Sequence, residues 1–263
     1  MKCFSIDLDG TLLNSAREIP EENYAVLQEL RHQGHSVIIN TGRAYEDVIQ
    51  FKELHRLETP IITINGTVLY SKSGDVLHEG SMKISVYQDL LNSLREFGLW
   101  IMVYTNQGGF PCRNPKIQGK STEEIEPIFK DYDYDQILEK ENMKIYKVMA
   151  VAKDPKKIEQ IKKAISGKFD LSMASSHDNN IEFTSVEANK GTALLKYQQI
   201  MNLKFDEIFA FGDGGNDLEQ FKVATTSVAM GNAPFHIQQQ ADIITKTNDQ
   251  NGFAYAVKEL LNI

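Results

Sequence analysis

Two carboxylates one residue apart, Asp7 and Asp9, stand where an apolar run near the start of the chain stops. Carboxylates placed this close repel each other, so a bound cation or a shared proton usually holds them. A hard, oxygen-seeking ion such as Mg²⁺ fits this chemistry. The alternative is an acidic surface turn, because Gly10 follows Asp9 and Asp-Gly is a common turn pair. A calcium-binding helix-loop-helix loop does not fit, since it places glycine sixth, whereas here glycine is fourth.

A second acidic cluster lies far downstream, in the run Gly212-Asp213-Gly214-Gly215-Asn216-Asp217. It follows a predicted strand over residues 207–211, and its glycines permit close approach of the backbone. The chain therefore delivers carboxylates at the carboxyl ends of two predicted strands. Ligands of open α/β sheets bind in the crevice outside those ends, so this position indicates a functional site.

A threonine and a glycine, Thr41 and Gly42, follow another predicted strand, over residues 35–40. The helical spacing of Val48 and Leu54 beyond them predicts that Thr41 lies near a helix start, where unpaired N–H groups favour anions. The competing interpretation is that Thr41 only caps that helix. Thr41 is therefore a candidate for binding an anionic group, and the capping interpretation stays open.

A lysine, Lys190, opens a further predicted helix, which carries Leu194 and Tyr197. A cation at a helix start is unfavourable with the helix dipole unless an anion lies near it. The residues alone favour the other interpretation, a lysine whose side chain reaches solvent at the surface.

Hydrophobic periodicity predicts the elements that position these residues. Residues 3–6 suit a strand buried on both faces. A helix between Pro20 and Gly34 leads to the strand over residues 35–40, which makes a βαβ unit with parallel strands and a right-handed crossover. A third strand, over residues 60–65, is followed by a hairpin. The first part of the chain is therefore expected to form a parallel sheet with helices.

From about residue 82 the pattern changes to an α-β-α-β-β succession without a catalytic cluster. It predicts a second domain, residues 83–184, inserted into a first domain made of residues 1–82 and 185–263. Residues 106–120 are rich in glycine and proline and carry basic side chains but no acid. They could form a basic substrate loop, although a solvated connection is the commoner use of such a run. The basic residues are Arg113, Lys116 and Lys120.

Composition limits the classes of function. The chain has 263 residues, of which 41% are hydrophobic, enough for one good core and a smaller one. A net charge of −8 and a sequence pI near 5.3 weigh against nucleic acid or an anionic membrane as the main partner. Two cysteines, Cys3 and Cys112, indicate neither a disulfide framework nor a Cys-based zinc site. Since neither a signal-like segment before Asp7 nor a membrane-spanning apolar run is present, a cytoplasmic protein is expected.

The motifs together resemble a known family. Asp7-Leu-Asp9-Gly10-Thr11-Leu12 is similar to the first motif, Asp-x-Asp-Gly-Thr-Leu, of the haloacid dehalogenase-like (HAD) superfamily of phosphate-transferring enzymes. Thr41 and Lys190 stand where its second and third motifs are expected. The run from Gly212 to Asp217 resembles its fourth motif, Gly-Asp-x-x-Asn-Asp. The motifs occur in the family's order, which favours one shared site over separate coincidences.

The end of the chain resembles the Cof-type subfamily of sugar-phosphate phosphatases. The matching residues are Val228-Ala-Met230-Gly-Asn232-Ala233, Ala241-Asp242 and Gly252. Asn65-Gly66 also matches a recurrent family feature, although a plain turn is favoured over substrate contact there. Two departures are Phe221, where methionine is common, and the lack of proline near residues 184–186. Both concern packing or the hinge, so they leave the chemistry unchanged.

The resemblance implies an α/β fold with a doubly wound (Rossmann-like) parallel-sheet core, and an α+β cap domain inserted between the second and third motifs that closes over the substrate. On the family pattern, Asp7 is the nucleophile that forms an aspartyl phosphate. Asp9 protonates the leaving oxygen and then activates water. Thr41, Gly42 and Lys190 would bind the phosphoryl oxygens.

The resemblance also implies a metal site. Asp7, the backbone carbonyl of Asp9, and Asp213 would ligate Mg²⁺. Asn216 and Asp217 would lie in the outer coordination shell. The implied function is Mg²⁺-dependent hydrolysis of small phosphorylated metabolites, sugar phosphates above all, with no nucleic acid, membrane or protein partner.

Other functions stay open from the sequence. A phosphosugar mutase of the same superfamily would use the same residues but return the phosphoryl group to the sugar. A non-catalytic sensor of phosphorylated metabolites is the alternative from another class, and the intact pair Asp7 and Asp9 weighs against it. An ion-pumping ATPase shares the fourth motif, yet its first motif has lysine and threonine where Leu8 and Asp9 stand.

Overall fold

The structure, a computed structural model, describes residues 1–111 and 121–261. The chain divides into two compact units, Met1–Glu79 with Ala188–Ile263, and Gly80–Glu187. The divisions predicted from the sequence fell after residues 82 and 184. In the described part of the chain, every helix is too short or too polar to cross a membrane.

The secondary structure of the described residues alternates between strands and helices. In chain order the strands are β1 (Lys2–Ile6), β2 (Ser36–Asn40), β3 (Ile61–Thr63), β4 (Val68–Tyr70), β5 (Val76–Glu79), β6 (Trp100–Thr105), β7 (Gly108–Phe110), β8 (Ile145–Val151), β9 (Leu171–Ala174), β10 (Asn180–Ser185), β11 (Glu207–Gly212), β12 (Thr226–Ala229) and β13 (Ile243–Ile244). The helices are α1 (Glu21–His32), α2 (Tyr45–Val48), α3 (Lys52–Leu57), α4 (Ile84–Arg95), α5 (Thr122–Lys130), α6 (Lys156–Ile165), α7 (Lys190–Ile200), α8 (Leu218–Val223), α9 (Phe235–Gln238) and α10 (Gly252–Leu261).

The first unit is built on a sheet with β1 in its interior. Over the described residues this sheet has eight strands, in the order β13-β12-β11-β1-β2-β3-β4-β5. The strands from β13 to β3 are parallel, and β4 and β5 extend one edge in antiparallel fashion. The chain moves outward from β1 to β3 on one side and from β11 to β13 on the other. This is the doubly wound parallel core that the sequence predicted.

Strand β1 is buried on both faces, as its apolar run predicted. Phe4 and Ile6 pack into one core cluster with Leu27 of α1. Cys3 points to the other face and packs with Leu194 of α7. Fully burying a large apolar side chain contributes about 1.5–3 kcal/mol, so these contacts fix β1 firmly. These contacts therefore also hold the backbone at the carboxyl end of β1, where Asp7 follows.

The segment between β2 and β3 differs from the prediction. Two short helices, α2 and α3, replace the single helical stretch, and Phe51 precedes α3 in an extended conformation with φ −77° and ψ 107°. Val48 and Leu54 are both buried in the same cluster, so their spacing reflects two separate turns of helix that face one core. The residue capping α2 is Ala44, so the interpretation of Thr41 as an N-cap is wrong.

The second unit is an α+β domain, as predicted. Over the described residues its sheet has five antiparallel strands, in the order β7-β6-β8-β10-β9. Helices α4 and α6 cover one face, and α5 packs on the other, where Phe129 stacks on Trp100. A buried ion pair between Lys147 Nζ and Glu182 Oε2, 3.2 Å apart, joins β8 to β10. Sequence spacing gave no indication of this pair, because its residues are distant in the chain.

Only part of the predicted basic loop, residues 106–120, lies among the described residues. Strand β7 lies in its first part and pairs with β6, which the sequence analysis did not predict. Arg113, Lys116 and Lys120, like Cys112, lie outside the described residues.

Candidate active site

Three neighbouring strands of the first unit deliver the predicted site residues to one edge of the sheet. Strand β1 lies between β2 and β11 and is parallel to both. Asp7 comes directly after β1, Thr41 directly after β2, and Asp213 directly after β11. The carboxyl ends of parallel strands meet at the same edge, so the three residues share one crevice.

Three carboxylates form a tight cluster at this edge. One oxygen of each of Asp7, Asp213 and Asp217 lies within 4.8 Å of the others. Burial raises the pKa of Asp7 well above its usual range, and the charges of Asp217 and Asp213 add to the rise. Burial, followed by the charge of Asp217, raises the pKa of Asp213 to about 7. The cluster therefore holds more negative charge than it can keep without a cation.

Lys190 supplies part of the missing positive charge. Its side chain is completely buried, and Nζ donates hydrogen bonds to Asp7 Oδ1 at 2.6 Å and to Asp217 Oδ1 at 2.7 Å. Burial acts to lower the pKa of Lys190, but the carboxylates of Asp217 and Asp7 outweigh it and raise the pKa. The surface-lysine interpretation is therefore wrong. The anion that justifies a lysine at a helix start is the carboxylate cluster.

Asp217 has both of its oxygens occupied. Oδ2 accepts the backbone N–H groups of Asp213 at 3.0 Å and of Gly214 at 2.9 Å. Oδ1 accepts from Lys190 and, at 2.7 Å, from Gln220 Nε2. Gly212 is required beside it, because a Cβ there would lie 2.2 Å from the Asp217 carboxyl carbon. These hydrogen bonds fix the Asp217 carboxylate in the position where it accepts a hydrogen bond from Lys190.

The Asp9 carboxylate has a different partner from the Asp7 carboxylate, which bonds to Lys190. The Asp9 carboxylate accepts two hydrogen bonds from the Arg43 guanidinium, at 2.7 Å from Nε and 2.6 Å from Nη2, and the Asp9 side chain is 54% exposed. The structure thus separates two carboxylates that sequence spacing cannot distinguish. Sequence reasoning missed Arg43, although a cation two residues after Thr41 was the available indication.

Thr41 and Gly42 form a tight turn next to Asn65. Thr41 is buried, and its Oγ1 accepts the backbone N–H of Arg43 at 3.2 Å. A Cβ on Gly42 would lie 2.8 Å from Asn65 Oδ1, so any other residue here would force the Asn65 side chain to shift. The structure therefore places the predicted anion-binding pair in a turn, without a helix start.

Asn65 connects the second and fourth motifs. Its Oδ1 accepts a hydrogen bond from Asn216 Nδ2 at 3.1 Å, and its backbone N–H donates to the Thr41 carbonyl at 3.0 Å. Ile64, Asn65 and Gly66 all have positive φ, at 50°, 54° and 95°. A β-branched residue such as Ile64 rarely adopts this conformation, so the turn is strained. This turn, which the sequence analysis treated as a plain turn, thus bonds to residues of two motifs through Asn65.

The cluster of acids fits a divalent cation. Gly10 approaches it so closely, with φ +73°, that a Cβ there would lie 2.2 Å from Asp213 Oδ2. Asn232, part of the Cof-type tail, closes the same side by donating to the Gly10 carbonyl at 2.8 Å. Oxygen ligands in a close-fitting cradle, with carboxyl pKa values raised by burial and by the neighbouring acids, suit a hard ion such as Mg²⁺ or Mn²⁺.

We expect the stability of the metal-free protein to fall as the pH rises from about 4 to about 7. The folded-state pKa values of Asp7 and Asp213 lie above the unfolded ones, so in this window the folded state binds more protons. The free energy of unfolding in excess chelator should drop by on the order of 2–4 kcal/mol. Urea unfolding at a series of pH values measures this change, and Asp213→Asn is the control that should flatten the slope. A stability that is level or rises over this window would contradict the raised pKa values of the buried Asp7 and Asp213 carboxyls.

Comparisons with known proteins agree on one family. A family model described as haloacid dehalogenase-like hydrolase matches residues 4–257. Phosphatase YwpJ of Bacillus subtilis (strain 168) is 31% identical to this chain, over 99% of the chain and 100% of YwpJ. The 5-amino-6-(5-phospho-D-ribitylamino)uracil phosphatase YwtE of the same organism is 30% identical, over 100% of the chain and 99% of YwtE.

A solved structure shows the same fold. The haloacid dehalogenase-like hydrolase from B. subtilis superposes with a TM-score of 0.87 at 28% identity, over 99% of this chain and 100% of that one. The similarity therefore extends over both units of the chain. Together with the strand-end carboxylates and the buried lysine, these matches establish that the chain belongs to the haloacid dehalogenase-like hydrolases and is a phosphatase of their Cof-type subfamily.

Proposed function

We propose that the protein is a Mg²⁺-dependent hydrolase of small phosphomonoesters, sugar phosphates above all, that works through an aspartyl phosphate on Asp7. The observation that carries this proposal is the buried Lys190 ammonium between Asp7 and Asp217, 2.6 and 2.7 Å from their oxygens. A phosphate ester resists attack by a carboxylate because both are negative. A fixed positive charge beside the nucleophile removes much of that barrier.

The reaction has two steps in this proposal. First the Asp7 carboxylate attacks phosphorus, the bond to the ester oxygen breaks, and Asp9 gives a proton to the leaving oxygen. Water then attacks the phosphorus of the aspartyl phosphate, Asp9 accepts a proton from it, and Asp7 is restored as phosphate leaves. Because Thr41 Oγ1 accepts from the Arg43 N–H, the Thr41 hydroxyl can donate its own proton to a phosphoryl oxygen. Gly42 N–H and Lys190 complete the phosphoryl site.

Asp7, Asp213 and the backbone carbonyl of Asp9 are the proposed ligands of Mg²⁺. Both oxygens of Asp217 already accept hydrogen bonds, which supports assigning it to the outer coordination shell together with Asn216. When bound, the ion supplies positive charge against the phosphoryl oxygens.

The Asp9–Arg43 ion pair must open, and Asp9 must take up a proton from solvent, before Asp9 can protonate a leaving group. The Asp9 side chain is 54% exposed, so water can hydrate its carboxylate when the pair opens. Arg43 thus orders Asp9 in the resting site. We keep the cytoplasmic location expected from the sequence as part of the proposal, since small phosphorylated metabolites occur there.

Phosphate release is expected to require Mg²⁺ and to be inhibited by Ca²⁺. The larger ion accepts more oxygen ligands and can take both oxygens of Asp7, which would then no longer attack. The measurement is release of inorganic phosphate from sugar phosphates and from the phosphorylated pyrimidine named for YwtE, with each ion titrated. Full activity in excess chelator, or with Ca²⁺ alone, would contradict the assigned metal site. Transfer of the phosphoryl group to a second sugar hydroxyl without free phosphate would indicate a mutase.

A further inference from the structure

Three buried polar side chains lie behind the catalytic lysine, and the two steps proposed above use none of them. Ser5 is in β1, Asn40 ends β2, and Gln220 is in α8, and each is 0% exposed. Buried hydroxyl and amide groups cost stability unless they are bonded to partners. These three come together from positions up to 215 residues apart. Hydrogen bonds among the three side chains join them into one network.

Hydrogen bonds orient the Gln220 amide. Its Oε1 accepts from the Ser5 hydroxyl at 2.8 Å and from Asn40 Nδ2 at 3.3 Å. Its Nε2 donates to Asp217 Oδ1 at 2.7 Å and to the Phe211 carbonyl at 3.2 Å. The oxygen thus faces donors and the nitrogen faces acceptors, so only this orientation satisfies both ends of the amide.

The same network holds Lys190 at both of its ends. Asp217 Oδ1, which accepts from Gln220, is also the oxygen that accepts from Lys190 Nζ at 2.7 Å. Asn40 Nδ2 donates to the backbone carbonyl of Lys190 at 3.0 Å. Gln220 and Lys190 both donate to Asp217 Oδ1, and two donors fix the position of that oxygen more firmly than one. The Lys190 ammonium is thereby oriented to donate another hydrogen bond to Asp7.

We propose that Gln220, anchored by Ser5 and Asn40, is a positioning residue of the phosphatase reaction: it locks Asp217 so that Lys190 stays directed at Asp7. This inference rests on the function proposed above. It assigns a catalytic consequence to a network that could otherwise serve stability alone. Residues that orient the ligands of a metal typically change activity tenfold to about a hundredfold when they are replaced, and we expect an effect of that size from Gln220.

The test begins with Gln220→Met, which keeps the volume of the side chain and removes both of its hydrogen-bonding ends. We expect kcat to fall by about tenfold to a hundredfold, with KM changed by less than about twofold. The loss should be the same for an aryl phosphate and a sugar phosphate, because Lys190 acts on the nucleophile and the phosphoryl group, whatever the leaving group. Assays are run well below the melting temperature of each variant, with Mg²⁺ saturating.

Ser5→Ala tests the anchor, and Ser227→Ala is its matched control. Ser227 is also a buried serine of a core strand, but its hydroxyl bonds to Asp242, at 2.6 Å, away from Asp217. Both variants lose a buried hydroxyl, so both should melt at a lower temperature, yet only Ser5→Ala should lower kcat. In a double-variant cycle, adding Ser5→Ala to Gln220→Met should cause no further loss of kcat, because the two act through one contact.

Several outcomes would overturn the inference. They are a folded Gln220→Met with kcat within about twofold of wild type, equal kcat for Ser5→Ala and Ser227→Ala, or losses that multiply in the double variant. Each would leave the network with a structural role only. A wild-type protein that releases no phosphate would instead contradict the proposed function, so the two failures are distinguishable.

Discussion

Asp7→Asn is expected to abolish phosphate release, with kcat lower by on the order of 10⁴–10⁶-fold. The amide lacks the negative charge and the nucleophilic oxygen that attack on phosphorus requires. Asp217 cannot replace it, because both oxygens of Asp217 already accept hydrogen bonds. The measurement is phosphate release and rapid-quench detection of phosphoenzyme, with Mg²⁺ saturating.

The same variant should keep its fold, which separates loss of chemistry from loss of structure. Asp7 is a buried carboxylate whose pKa is raised by burial and by its acidic neighbours, so its charge is unfavourable in the metal-free protein. Removing that charge should leave the melting temperature in chelator unchanged or raised, since Lys190 retains Asp217 as its partner.

Lys190→Met is the contrasting control. It leaves two buried carboxylates without their shared cation, and removing one partner of a buried pair typically costs about 3–5 kcal/mol. Both variants should be inactive, but only Lys190→Met should be strongly destabilised in chelator. Residual turnover near wild type in Asp7→Asn, or an Asp7→Asn protein as unstable as Lys190→Met, would contradict the assigned nucleophile and its environment.

The core fold could be predicted because its pattern is local. Cys3, Phe4 and Ile6 suit a strand buried on both faces, and the predicted helix is bounded in the sequence by Pro20 at its start and Gly34 at its end. Phe221, where methionine is common, packs against Ile237 and Ala210, as expected of a packing position. Such features depend on neighbours within one turn of helix or one strand, so spacing captures them.

The partners of the site residues could not be predicted, because they are distant in the chain. Lys190 resembles a surface lysine until Asp7, 183 residues away, is placed beside it. Gln220 has no local feature that connects it to Ser5. The sequence analysis also did not predict the break between α2 and α3. The same spacing of apolar residues fits either one helix or two short helices that face the same core.

Motif order therefore indicates which residues meet, and only the fold shows what each of them touches. The distinction matters most for Asp9, because Asp7 and Asp9 share a motif and a residue type. Asp7 is buried and bonded to Lys190, whereas Asp9 is half exposed and bonded to Arg43. A buried carboxylate held beside a cation suits a nucleophile, and a partly exposed one suits proton transfer.

Asp9→Asn is therefore expected to act on the leaving group. Formation of the phosphoenzyme from a sugar phosphate should slow by on the order of 10²–10⁴-fold, because its alkoxide leaving group needs a proton. An aryl phosphate with an acidic leaving group should lose much less in this step. Hydrolysis of the aspartyl phosphate should be slow after either substrate, since the attacking water has lost its base. The aryl substrate should then give a burst of phenolate followed by slow turnover in rapid-quench measurements.

The matched control is the same substitution two residues earlier. Asp7→Asn should give no burst with either substrate, because no phosphoenzyme can form. A burst that survives in Asp7→Asn, or equal losses on both substrates in Asp9→Asn, would overturn the two roles. The difference between these variants is thus expected to follow from burial and partners, since the buried Asp7 bonds to Lys190, whereas the half-exposed Asp9 bonds to Arg43.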